Sequence, residues 1–370
     1  ARRAAQAIAH QLSDWAVMPA LWLIIALVLF CGAGQAAPSD ADYAAAVRRT
    51  VEGTIVPAFG ALASTTAALE PAAAEYCARP DGNRRAALAA ALAEVLRRWA
   101  EVDFLLFGPL AENQQAERFA FWPDSSGAGA RQLRRVRAKA DPALLEPQRL
   151  AGSSAAIQGL PAFEALLFGD GAGQVGDYDC KLAVAIAANL KQLSLDIMRR
   201  WTAPDGWRAL MLSAGPGNSY YASPREAANE LLKAVLTGFV QLRDQRLMTA
   251  LGKDGGARPE KLPYWRSGGT EAYLGATLAG LRQFLRQLDL PGLAGGDSES
   301  ERAAIDRQFK QAQEGLERAG RPLARTILTP AGRAGVEQVI AAVKMVQDLV
   351  GVRLAPAAGL SVGFNALDGD

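Results

Sequence analysis

Apolar residues recur every three or four positions along most of the chain. Over residues 182–201 Leu182, Ile186, Leu190, Leu193, Ile197 and Trp201 share one face, and over 336–350 Val336, Val339, Ile340, Val343, Val346, Leu349 and Val350 do the same. Such spacing predicts amphipathic helices whose apolar stripes must be buried against one another. No comparable stretch alternates with a period of two, so the pattern predicts an all-α protein with no sheet. The stripes break where glycine and proline gather, at 168–177, 202–207, 213–219, 252–263 and 290–300. Two of these breaks crowd into 203–218 and place a boundary there, with one helical bundle over 38–205 and a second, with a C-terminal tail, over 206–370. The run YASPREAANELL reads as a helix start: Ser223 caps, Pro224 takes the first helical position, and Glu226 returns the hydrogen bond.

The N-terminus departs from this pattern. No charge falls between Asp14 and Asp40, and residues 20–34 form a continuous apolar run preceded by Arg2 and Arg3 and followed by Gly34-Gln35-Ala36. A basic flank, an apolar centre and a small-residue end predict an export signal over 1–37, with the mature chain beginning near Ala37. An uncleaved membrane anchor is the other reading, since the run approaches the ~20 residues that span a bilayer. Lipidation at Cys31 is disfavoured by the bulk of Phe30 before it. All three readings put the folded part outside the cytoplasm, in the periplasm, with membrane contact only through this segment. Cys77 and Cys180 are then the thiols left in the mature region. An even pair in an oxidising compartment is expected to be bridged.

Composition narrows the chemistry. Lys and Arg number 40 against 38 for Asp and Glu, a net charge of +2, which argues against nucleic acid as a partner. The basic stretch 131–139 lacks interleaved aromatics and reads as a solvated helix face. Gly171, Gly173 and Gly176 match Gly-x-Gly-x-x-Gly but follow a helix where a dinucleotide site needs a strand. Histidine decides more: the single one, His10, lies in the segment expected to be removed. A Ser-His-Asp triad, a His-Glu-x-x-His zinc site and a Cys-His dyad are thereby excluded from the mature chain.

Against this background one acid stands out. Glu164 is the only ionisable residue from Ala151 to Gly169. With Pro161 as the first helical residue, Glu164 falls in the first turn, where the helix dipole favours a negative charge. Buried among Leu160, Phe163 and Phe168, it needs a proton, a cation or a charged partner, and Arg118 and Arg266 are the expected partners. Both arginines lie in stretches dense in unusual residues. One, 117–124, carries Arg118, Trp122 and Asp124; the other, 263–269, carries Trp265, Arg266 and Ser267.

The segments WAEVDFLLFGP (99–109), RFAFWPD (118–124), IQGLPAFEALLFG (157–169), PYWRSGG (263–269) and the terminal SVGFNALDGD together resemble the imelysin-like family, in particular its branch of predicted periplasmic lipoproteins. That resemblance implies an all-helical fold of two bundles. It also implies a site near their interface built on a Gly-x-His-x-x-Glu motif, and a role in iron-uptake-associated metal binding or peptidase activity. Gly159 takes the motif's glycine and Glu164 its glutamate, but Pro161 stands in place of the histidine. Without it neither a zinc-bound water nor a histidine base is assembled, so a non-catalytic binding role is expected, ahead of a scaffold or a peptidase that works without histidine. The expected metal ligands are Glu164 and Glu101, with Asp103, Asp124 and the terminal Asp368 or Asp370 as further oxygens for iron, calcium or another oxygen-preferring cation. Glu164, Arg118, Trp122, Asp124, Trp265, Arg266 and Ser267 are expected to line a ligand cleft, and membrane-associated iron-uptake proteins are the expected partners.

Overall fold

The computed structural model describes residues 37–169, 175–252 and 256–361. His10, Cys31 and the rest of the N-terminal segment through Ala36, Gly171 and Gly173, and the terminal Asp368 and Asp370 lie outside the described residues. Within them every regular element is helical, and none is long and apolar enough to cross a membrane.

Side chains cap the starts of several of the helices. Ser39 opens α1 (Asp40–Thr50) with a reciprocal cap, its hydroxyl accepting from the Asp42 N–H and the Asp42 carboxylate accepting from the Ser39 N–H. A π-turn (Val51–Ile55) carries α1 into α2 (Val56–Ala78), and Asp81 caps α3 (Gly82–Ala100). The chain then forms α4 (Ala128–Lys139), α5 (Leu160–Phe168) and α6 (Asp177–Thr202). Ser223 caps α7 (Pro224–Val240) as the sequence predicts, while the Glu226 carboxylate accepts from the Ala222 N–H, one residue ahead of the cap. The remaining long helices are α8 (Thr270–Leu288), α9 (Ser298–Ala319) and α10 (Pro330–Asp348).

The apolar stripes end up inside. Leu182, Ile186, Leu190, Leu193, Ile197 and Trp201 are all buried on α6, which packs along α2. There Phe59 stacks on Trp201 at 5.8 Å, and the hydroxyls of Thr66 and Ser194 meet at 2.7 Å. Cys77 near the end of α2 is disulfide-bonded to Cys180 in the first turn of α6, across 103 residues of sequence. On α10, Val336, Val339, Val343 and Val346 are buried and Ile340 is half-buried, and in the π-turn Leu349–Leu354 that follows it Leu349 is half-buried and Val350 buried. Helices α9 and α10 approach closely because glycines face each other: a Cβ at Gly335 would fall 2.7 Å from the Gly315 carbonyl oxygen and 2.4 Å from the Ala319 nitrogen.

The helices pack in two groups that are not consecutive along the chain. Helices α2, α3, α5 and α6 pack together, and α7, α8, α9 and α10 form the second group, but α1 joins the second group by packing on α7 and α8. Helix α3 also packs against α8, and the chain from Pro38 onward clusters as one compact unit. Helix α1 buries Tyr43, Ala46, Val47 and Thr50.

Candidate functional site

Three segments far apart in sequence converge beside α5. The first is the stretch that carries Trp122, which runs past the start of α5. A Cβ at Gly159 would fall 2.6 Å from the Phe119 carbonyl oxygen and 2.9 Å from that of Arg118. The motif glycine is required there because backbone is pressed directly against it.

Helix α5 begins at Leu160, so Pro161 is its second residue and Glu164 stands in its second turn. This corrects the first-turn placement and removes the helix dipole as the main support, since that field fades beyond the first turn. Support comes instead from the turn Pro263–Gly269. Glu164 is 3% exposed, and its Oε1 accepts from the Ser267 N–H at 2.9 Å and from the Ser267 hydroxyl at 2.7 Å. The turn is closed by the Gly269 N–H on the Tyr264 carbonyl at 3.0 Å and by the Thr270 hydroxyl on the Pro263 carbonyl at 2.7 Å. Tyr264 takes a left-handed φ of 55°, an uncommon conformation for a bulky residue and the local strain through which the turn aims Ser267 at the acid.

Burial pushes the Glu164 carboxyl above the usual carboxylate range, although the backbone and hydroxyl donors of Ser267 and the nearby Arg266 pull the other way. The expected ion pairs do not form. Arg118 donates from Nε to the Gln158 side chain at 3.2 Å, and buried Gln158 is itself tied to Asn189 and to the Ser153 carbonyl. Arg266 is exposed and lies over the Trp265 ring at 4.6 Å. Uncharged donors therefore hold Glu164, and a proton is its means of shedding charge.

Trp122, Asp124, Glu164, Tyr264, Trp265 and Arg266 line one cavity of about 610 Å³, and Pro161 lines it too, so the position of the missing histidine faces the cavity. Asp124 also caps α4, its Oδ2 accepting from the Ala130 N–H at 3.1 Å. Glu101 is elsewhere. It is bound to Arg98 at 3.1 Å and lines a separate hollow beside α8, which passes so close that a Cβ at Gly280 would fall 2.9 Å from the Glu101 Cα. Among the described residues no group of three or more His, Cys, Asp or Glu side chains is placed to hold a metal ion. The residues present around Glu164 do not fit a bare cation.

A second charged cluster lies behind the cavity wall. Asp103, on the turn after α3, is 5% exposed; its Oδ2 accepts from Arg246 Nη2 at 2.7 Å and from the Tyr273 hydroxyl. Arg246 comes from the π-turn Gln241–Met248 after α7, and its guanidinium lies 5.0 Å from the Tyr273 ring and 5.8 Å from the Trp122 ring. Tyr264 meets Tyr273 edge-on at 5.1 Å. Burial raises the Asp103 pKa against the pull of Arg246 and Tyr273, and raises those of Tyr264 and Tyr273 far enough to keep both phenols protonated. Asp103 is legible as an isolated acid in the apolar run Val102–Phe107. Arg246, inside the charge-rich RDQR, has no such mark, and Tyr264 and Tyr273 none at all.

The family model for imelysin, classed as peptidase M75, matches residues 55–350. The chain belongs to the imelysin family. Two solved structures share the family's fold with this chain. An imelysin-like protein from Psychrobacter arcticum 273-4 superposes with a TM-score of 0.73 at 19% identity, over 89% of this chain and 100% of its own. A precursor named iron-regulated protein A, from Parabacteroides distasonis ATCC 8503, superposes with a TM-score of 0.65 at 14% identity, over 88% of this chain and 96% of its own. No curated protein sequence matches the chain. In this imelysin, Gly159 and Glu164 keep the spacing of the motif and Pro161 interrupts it.

Proposed function

We propose that this imelysin-family protein is an exported, non-catalytic binding protein that takes a small ligand into the cavity beside Glu164, in the service of iron uptake. The observation that carries this reading is Glu164 itself: a nearly fully buried carboxylate in the wall of an aromatic-lined cavity, held by Ser267 with no ion-pair partner among the described residues. A structural acid is ordinarily neutralised by a buried cation, as Asp103 is by Arg246; an acid kept protonatable at a cavity wall is a recognition group. The likeness to a protein named for iron regulation supports the iron connection. The poor fit to a bare ion favours iron arriving inside a chelate, with the organic part making the contacts. The Cys77–Cys180 bond suits an oxidising compartment, which supports export to the periplasm. With proline in place of the motif histidine, Glu164 has no imidazole beside it among the described residues to form a base or bind zinc, which favours binding over peptide hydrolysis.

The test is titration calorimetry of the mature chain, purified without chelators, with ferric citrate as the probe. The wild type is expected to bind one equivalent, and Glu164→Gln to bind about tenfold more weakly, corresponding to ~1.4 kcal/mol. No binding by the wild type, or equal binding by both, overturns the reading.

A further inference from the structure

Arg246 is only 3% exposed and gives Nη2 alone to Asp103. Its Nε and Nη1 are buried with no acceptor, and Oδ1 of Asp103 is buried with no donor. A guanidinium carries five N–H donors on a rigid plane, and buried donors left unpaired are unfavourable, charged ones most of all. Such a group inside a protein calls for a partner. The cluster is screened from the cavity by side chains that belong to both. Trp122 lines the cavity and lies across the Arg246 guanidinium; Tyr264 lines it and packs on Tyr273, whose ring also faces Arg246. Trp122 is half-buried and sits on an irregular stretch between the short helix Gln115–Phe119 and α4, outside any regular element.

We propose that Arg246 is an inner anion-binding subsite of this cavity, its unpartnered N–H groups receiving, when Trp122 turns aside, the carboxylate of a small aromatic acid whose ring lies among Trp122, Tyr264 and Trp265. The inference rests on the cavity reading above and adds the chemical class of the ligand. The aromatic walls select a planar apolar body, and the unpaired guanidinium nitrogens select an acceptor-only anionic head. The titratable groups that face Arg246 and its neighbours are Asp103, Glu164, Tyr264 and Tyr273. A second carboxylate beside Arg246 leaves one negative charge in excess, and Asp103 is the group to take up a proton, because burial already pushes its carboxyl upward against the pull of Arg246 and Tyr273.

The test uses the mature chain with its disulfide intact and three probes of one shape: benzoate, neutral benzamide and cationic benzylammonium, read by calorimetry and tryptophan fluorescence. Benzoate is expected to bind at least about tenfold more tightly than benzamide, with benzylammonium weaker still. Arg246→Lys keeps the charge but not the planar donor set and is expected to erase that preference. Trp122→Ala leaves the buried pair in place and is expected to speed benzoate association several-fold while keeping the preference, so it carries the test if the arginine variant fails to fold. Equal binding of benzoate and benzamide, or a Trp122→Ala variant with unchanged association rate, overturns the inner subsite. Glu164-dependent binding of ferric citrate alongside equal binding of benzoate and benzamide removes the subsite alone and leaves the cavity reading standing.

Discussion

Glu164 and Asp103 are two acids under the same desolvation stress that the fold relieves in different ways. Each sits in an apolar run, each is almost fully buried, and burial raises the pKa of each. Asp103 is met by a guanidinium and a phenol, from residues 143 and 170 positions away. Glu164 is met by the N–H and hydroxyl of Ser267, 103 positions away, and makes no ion pair among the described residues. A paired cation opposes the protonation that burial favours at Asp103, whereas at Glu164 the hydrogen-bond donors that oppose it are uncharged, and the acid faces the cavity. The difference separates an acid neutralised by a cation within the fold from a cavity-wall acid held by uncharged donors.

The sharpest way to break this contrast is Arg246→Met. It strands Asp103 without its cation and is expected to cost about 3–5 kcal/mol in urea unfolding, most of it recovered by adding Asp103→Asn. If Glu164→Gln costs as much, the two acids are not differently supported. Next in size is loss of the disulfide. Cys180→Ala is expected to cost about 2–4 kcal/mol through the longer reach of the unfolded chain. It should lower the urea midpoint at every pH without changing the shape of the pH profile, because neither acid touches that bond.

A smaller effect concerns protons. Because the folded pKa of Glu164 lies above the unfolded one, the native state binds the extra proton and its stabilising contribution is complete below the ordinary carboxylate range. That contribution is lost as pH rises through the folded value. Glu164→Gln is therefore expected to flatten part of the decline in urea midpoint as pH rises above the ordinary carboxylate range, leaving the part due to Asp103; a profile identical to wild type contradicts the assignment. The smallest expected change is Ser267→Ala, at about 1 kcal/mol, since one hydroxyl donor goes and the backbone N–H stays. The Glu164 carboxyl should titrate still higher in the variant, as infrared spectroscopy of its protonated band can follow.

Much of the architecture was written in local pattern. The stripes on α6 and α10, the Ser223 cap and the absence of period-two stretches follow from spacing and short-range chemistry, which act over one or two turns and so survive in a linear reading. The two thiols and the isolated Glu164 were legible for a related reason, because composition alone makes them exceptional. Their partners were another matter. In sequence Arg118 is as suitable for Glu164 as any cation, yet it is committed to Gln158, and Ser267 reads as part of the cleft lining with no sign that it donates to Glu164. Glu101 reads in sequence as a second metal ligand, yet it lines a different hollow, beside α8. Arg246 was indistinguishable from a solvated charge, and α1 gave no sign that it would cross to the later helices. Which helices form is decided by contacts a few residues apart, whereas which side chains meet depends on how rigid rods cross. A shift of one turn at any crossing moves a partner by about 5.4 Å, enough to make or lose a hydrogen bond, and only the packed tertiary structure sets that register.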